Sequence, residues 1–180
     1  TERGTLLFNV LNATMRQLAG TGLSPTLIPT LSGDDIGRYG VHDVRLITAL
    51  DGRPLGDTAR QSDSLLRDLG RAVGVMDCAL EAFDHPALHR AFHWDLATAP
   101  AVIAERLPLV RDPGVRQLIE RAIAVHHDTV APHLPSFRRS VIHGDVNDYN
   151  VLVDGRTQRV TGIVDFGDMV VSHTVNEVAL

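Results

Sequence analysis

Between Ser140 and Asp168 the sequence places three short apolar runs close together, separated by turns too tight to hold a helix. Ser140–His143, Asn150–Val153 and Val160–Asp165 read as strands, each bounded by Asp, Asn or Gly. Asp154-Gly155 predicts a hairpin turn between the last two. Whatever else the chain does, it must pack a small β region at this end.

Upstream the periodicity is helical. Residues 5–19 carry Leu7, Leu11, Met15 and Leu18 on one face, and residues 60–83 carry Leu65, Leu66, Leu69, Val73, Met76 and Leu80. Residues 86–93 and 99–107 read as shorter helical pieces, separated by Trp94-Asp95-Leu96. Asp112-Pro113 opens a further helix to about His127. Val41–Leu50 reads as one strand with Val44, Leu46, Thr48 and Leu50 on one side, and Asp51-Gly52-Arg53-Pro54 as a turn with no strand after it. The order predicts an α+β or mixed α/β chain.

Composition removes several functions. No run approaches eighteen apolar residues, so no membrane helix is expected. A net charge of −5 argues against a nucleic-acid surface and for small-molecule or protein partners. The single cysteine, Cys78, excludes an internal disulfide, suits the cytoplasm, and sits where core packing is expected. All 17 basic residues are arginine. A mechanism that needs a lysine ammonium is incomplete within this sequence.

The chemistry-bearing residues fall in two clusters, His143-Gly144-Asp145-Val146-Asn147-Asp148-Tyr149-Asn150 and Asp165-Phe166-Gly167-Asp168. An Asp, an Asn five residues later, and an Asp-Phe-Gly on the next hairpin arm follow the order of kinase-type phosphoryl-transfer sites. A carboxylate at Asp145 suits the acceptor hydroxyl and its proton. Asn150 and Asp165 offer the hard oxygens that Mg2+ prefers. Asp, Asn and Gly are also common at strand ends, but two motifs in order and spacing make chance a poor account. His143 is expected to brace the loop, and Asn147 and Asp148 to shape it.

These stretches resemble the aminoglycoside phosphotransferase and choline kinase group, small-molecule kinases with a protein-kinase-like fold. VTGIVDFGDMVVSHTVNEVA looks closest to the hydroxylysine-kinase-like branch, and Arg45–Gly56 looks like the segment linking the family's two lobes. The resemblance implies an α+β, protein-kinase-like chain, mainly the helical C-terminal lobe with a catalytic β-hairpin region. It divides the chain into 1–56, a remnant of the N-terminal lobe and hinge, and 57–180, the catalytic lobe truncated at its end. It implies transfer of a phosphoryl group from ATP or GTP, with Mg2+, to a hydroxyl of a small amine- or amino-acid-like molecule. Asp145 would be catalytic, Asn150 and Asp165 would hold the metal, and the backbone of Thr48, Ala49 and Leu50 would meet the nucleotide base.

The departures from that family set further expectations. Residues 5–19 contain no Glu to pair with a lysine, and Gly20-Thr21-Gly22 follows a helix rather than joining strands. The chain is expected to begin after the lysine-bearing strand, to be inactive alone, and to need a second copy or a fused domain over its incomplete lobe. Two alternatives stay open. One is a non-catalytic kinase-like module of a fusion enzyme, possibly with a pyridoxal-phosphate aminotransferase. The other is a metal-dependent phosphohydrolase using Asp145, Asp165, Asp168 and His143. His85, His89 and His93 fit a helical metal face only if that helix is continuous. At Trp94-Asp95 an acceptor contact competes with a packed Trp and a capping Asp.

Overall fold

A long amphipathic helix in the middle of the chain organises the rest. The computed structural model describes residues 2–179. Helix α1 (Glu2–Leu18) and helix α2 (Asp63–Leu80) follow the apolar spacing, and the Ser62 hydroxyl caps α2 by accepting from the Leu65 N–H. Their buried faces meet through Val10, Leu11, Met15 and Leu18 of α1 and Met76 and Leu80 of α2. Val141, Ile163, Phe166 and Met169 complete this cluster. A second cluster joins Leu65 and Ala72 of α2 to Leu23, Leu55, Val151, Val153 and Val160.

Among the described residues the strands form four small antiparallel sheets. β1 (Leu27–Ile28) pairs with β4 (Leu46–Ile47), and β2 (Gly37–Tyr39) with β3 (His42–Val44). β5 (Arg53–Pro54), β7 (Val151–Asp154) and β8 (Arg159–Ile163) form a three-stranded sheet, in which β7 and β8 are the expected hairpin. β6 (Arg139–Ile142) pairs with β9 (Val170–His173). β6 ends at the first motif, and the β8 to β9 connection carries the second. The two pairings therefore deliver both motifs to one end of the β region.

Three local readings are corrected. Val41–Leu50 is two short strands, and Val44 and Leu46 are exposed while Ile47 packs toward the core. Arg53–Pro54 is a strand that finds its partner about a hundred positions away, which the turn reading missed. Residues 86–93 supply only a 3-10 turn, Pro86–Leu88, capped by His85. Pro86 removes a backbone donor, so no longer helix propagates through it. The three histidines consequently do not share a helix face, and no metal-holding group of His, Cys, Asp and Glu occurs among the described residues. Helix α3 (Ala99–Arg106) matches its expectation, and α4 (Pro113–Val125) ends in a π turn, His126–Val130. Cys78 is exposed rather than packed, because it lies off the buried stripe of α2.

Asp68, on that buried stripe, ties α2 to the hairpin. Its Oδ2 accepts the Val160 N–H at 2.8 Å, and its Oδ1 lies 2.8 Å from Arg71 and 3.3 Å from Arg159. The hydrogen bond from Arg71 leads the interactions that hold its carboxyl below the usual range. Asp68→Ala leaves a buried N–H unpaired and should cost about 2–3 kcal/mol, read as a lower urea midpoint. An unchanged midpoint would mean that the hairpin docks without this carboxylate.

Candidate active site

Strand β6 stops at Ile142, and the backbone turns at Gly144 with φ +78°. A Cβ at Gly144 would sit 3.0 Å from the Asp168 carbonyl oxygen. Glycine is therefore what lets the two motifs approach. His143, fully buried, bridges them: its Nε2 lies 2.9 Å from the Val164 carbonyl and its Nδ1 3.2 Å from the Asp145 N–H. A neutral ring satisfies both, Nε2 donating and Nδ1 accepting. Burial outweighs the neighbouring carboxylates and pushes the imidazole pKa down. The ring also packs against Phe166, with centroids 4.9 Å apart. His143 is a brace, as expected from its position.

Asp145 is held from two sides. Its Oδ1 accepts from Asn147 Nδ2 and its Oδ2 from Asn150 Nδ2, each at 2.8 Å. Asn147 Oδ1 receives the N–H groups of Tyr149 and Asn150, the loop-shaping arrangement anticipated for it. Asp148 anchors the loop on the other side, its carbonyl accepting the Gly56 N–H at 2.8 Å.

Asn150 commits its amide nitrogen to Asp145, which leaves Oδ1 as its open end. Its backbone carbonyl accepts the Val164 N–H at 2.9 Å, which sets Asp165 beside it. Asp165 is exposed and left-handed, at φ 63° and ψ 63°. For a side chain other than Gly this backbone costs about 1–2 kcal/mol, and it persists where the surroundings impose it. The carboxylate faces solvent, not the core. An open amide oxygen beside an exposed carboxylate is a donor set that fits Mg2+.

The remaining expected positions lie on other elements. Thr48 is tied into the strand pairing, its N–H donating to the Thr26 carbonyl and its Oγ1 accepting from the Thr26 N–H, both at 2.9 Å. Ala49 and Leu50 follow outside any strand. The Leu50 side chain lies over Gly162 of β8, where a Cβ would come within 2.3 Å of Leu50 Cδ1. Asp95 caps the turn Leu96–Thr98 and accepts the Ser172 hydroxyl at 2.6 Å, while Trp94 is exposed rather than packed. On α1, Asn12 is buried and its Oδ1 accepts from Arg45 at 2.9 Å.

Besides Asp68, two buried carboxyls escaped the sequence reading. Glu177 accepts the N–H groups of His143 and Gly144, and Asp77 lies on α2 with its buried Oδ1 unpartnered among the described residues. The visible signals were an acid inside the apolar stripe of α2 and another inside Val175–Leu180. Burial raises Asp77 to about 6, against the pull of Arg138, and raises Glu177 to about 7. A raised folded pKa means that the folded state holds the proton more tightly, so each group lowers stability as pH climbs from its unfolded value toward its folded one. His143 acts oppositely in part of this window. Asp77→Asn should therefore become progressively more stabilising from pH 5 to pH 7.5, by about 1–1.5 kcal/mol across that interval. Urea unfolding at the two pH values checks this. A constant difference would refute it.

An Asp held by two Asn residues, with an exposed Asp on the neighbouring turn, keeps the order that the sequence led us to expect of a phosphotransferase. The match to known families agrees: residues 12–180 fit the model for the phosphotransferase enzyme family APH, and the chain belongs to that family. Among curated proteins, hydroxylysine kinase from Mus musculus is 36% identical over 166 residues, and that from Bos taurus is 34% identical. Each alignment covers 86% of this chain and 43% of the relative. The chain thus spans less than half the length of these relatives. Among solved structures, the GDP complex of wild-type aminoglycoside 2'-phosphotransferase-IIIa superposes with a TM-score of 0.66 at 19% identity, covering 98% of this chain and 61% of the other. An aminoglycoside phosphotransferase from Alicyclobacillus acidocaldarius gives 0.65 at 15% identity, covering 96% and 56%. The fold is the protein-kinase-like one expected. No helix among the described residues is long and apolar enough to cross a membrane.

Proposed function

We propose that this chain carries the catalytic loop of a small-molecule kinase that moves the γ-phosphoryl group of ATP or GTP to a hydroxyl of a small amine- or amino-acid-like acceptor. The observation that carries the reading is the hold on Asp145: two amide nitrogens fix its carboxylate, and the amide nitrogen of Asn150 is committed to it, which leaves the Asn150 amide oxygen as that side chain's open end. Asp145 orients the acceptor hydroxyl and takes its proton as the new O–P bond forms and the bond to the β-phosphate breaks. Asn150 Oδ1 and the Asp165 carboxylate are the groups that would hold magnesium, which offsets charge on the phosphate oxygens when bound. The backbone at Thr48, Ala49 and Leu50 would receive the nucleotide base. We read residues 1–56 as the hinge side and 57–180 as the catalytic lobe.

The kinase reading is preferred to its two competitors. The phosphohydrolase reading needs His143 free for a metal, and both ring nitrogens are engaged in a fully buried position. Nothing in the described residues favours a non-catalytic module over an intact loop. One feature bears on activity directly: the 180 residues contain no lysine to contact the α- and β-phosphates.

The test is a phosphorylation screen of hydroxylated amines and amino acids with the full-length protein carrying this chain, hydroxylysine first because the curated relatives are hydroxylysine kinases. Acceptor-dependent release of nucleoside diphosphate is expected. Hydrolysis of phosphomonoesters without nucleotide would overturn the assignment.

A further inference from the structure

The Asp165 carboxylate stands at the N-terminus of the 3-10 turn Phe166–Asp168 but caps none of its N–H groups, so the backbone on either side must place it. Upstream, the Val164 N–H is held by the Asn150 carbonyl at 2.9 Å. Downstream, Nη2 of Arg90 donates to the Gly167 carbonyl at 2.9 Å and to the Met169 carbonyl at 3.0 Å. Arg90 reaches the turn from the loop that follows Pro86–Leu88, 77 residues before Gly167. The side chains of Phe166 and Met169 are buried in the core, and Arg90 ties down the backbone that they leave outside.

We infer that Arg90 is a positioning residue for the metal side of the site: it ties the Gly167 and Met169 carbonyls and so holds the Asp165 carboxylate beside Asn150. That this carboxylate meets magnesium rests on the kinase reading above; the tie itself rests on the two hydrogen bonds. Asp145 is fixed separately, by Asn147 and Asn150. Loss of Arg90 should therefore be felt at the metal and not at the acceptor.

Three features suit Arg90 to this task. Its guanidinium lies over the Phe92 ring, 4.4 Å from the centroid, which steadies a side chain that is otherwise exposed. A charged donor also makes stronger bonds to carbonyl oxygens than a neutral one. Gly167 lies against the carboxylate, since a Cβ there would come within 3.3 Å of Asp165 Oδ1. The peptide that Arg90 holds is thus the one on which Asp165 rests. A cavity of about 350 Å3, walled by Val10, Leu88, Phe166, Gly167 and Met169, leaves the turn room to shift once untied. Magnesium tolerates little error in the placement of its oxygen ligands, so even a small shift should weaken it.

The experiment uses the full-length protein carrying this chain, with Mn2+ as the metal probe and nucleoside diphosphate present, read by calorimetry. Arg90→Met keeps the stem and loses both donors. It should bind Mn2+ about 5- to 20-fold more weakly, while affinity for metal-free nucleotide and the acceptor KM stay within about twofold. In steady-state kinetics kcat should return to within about threefold of wild type at saturating Mg2+. Arg90→Lys keeps a charged donor near the carbonyls and should recover most of the Mn2+ affinity. A merely structural role would lower the urea midpoint or weaken all ligands alike, and would not single out the metal. Unchanged Mn2+ affinity in Arg90→Met, or an equal loss for metal-free nucleotide, would overturn the positioning role. If Arg90→Met does not fold, Phe92→Leu decides: without the ring, Mn2+ affinity should fall by about two- to fivefold, and an unmoved value overturns the role. Asp165→Asn keeps the two claims apart. Wild-type Mn2+ affinity in that variant would sink the metal reading of Asp165 and the role of Arg90 with it, whereas a loss there with none in Arg90→Met removes Arg90 alone.

Discussion

Asp145→Asn should lower turnover by about 100- to 10,000-fold in the full-length protein while leaving magnesium-nucleotide affinity nearly intact. The carboxamide keeps the volume but cannot take the acceptor's proton. It also presents an NH2 group to one of the two amide nitrogens that now donate to Asp145. Part of the loss therefore comes from a misdirected side chain and part from missing basicity. Steady-state kinetics with calorimetry on the magnesium-nucleotide separates these from a binding defect. A tenfold loss of nucleotide affinity in this variant would remove the division of labour proposed for the site.

Asp165→Ala should act on the other side of the reaction, weakening magnesium-nucleotide binding by at least about tenfold and abolishing turnover. Its exposed carboxylate is a hard oxygen donor with Asn150 beside it. The backbone complicates the reading, because Ala at φ 63° is less tolerant of the left-handed region than Asp. Asp165→Asn supplies the control, since Asn accepts that backbone yet carries no charge. The same loss of affinity in both variants, with normal urea midpoints for Asp165→Asn, assigns the effect to the charge. Wild-type affinity in Asp165→Asn would refute the metal role.

The candidate site was legible as a cluster because its residues are fixed by short-range spacing. Asp145 and Asn150 share one loop, and a single hairpin carries the chain from Asn150 to Asp165. Helices α1 and α2 were legible for a related reason: their apolar periods are local and long. What escaped depends on partners far away in sequence. Arg53–Pro54 is a strand only because Val153 and Leu152 lie beside it. β9 reads as a brief apolar run until β6 gives it a ladder. Val41–Leu50 alternates as a strand should, but its pairing breaks it in two and turns Val44 and Leu46 outward. Asp68, Asp77 and Glu177 look like surface acids on composition alone. Only the donors brought to Asp68 and Glu177 by the fold, and the burial of Asp77 that no donor offsets, reveal them as interior groups.

The bare backbone of Gly162 has a mechanical meaning. With no side chain between Leu50 and β8, the segment proposed to receive the base rests directly on the strand that leads, three residues later, to Asp165. The Leu23 carbonyl accepts the Ile163 N–H at 2.7 Å and presses on the same spot. Contact this close transmits displacement instead of absorbing it. A sideways push at Leu50 is thus delivered to the turn at Asp165 as through a short lever, and a larger residue at 162 would jam that lever as well as crowd the packing.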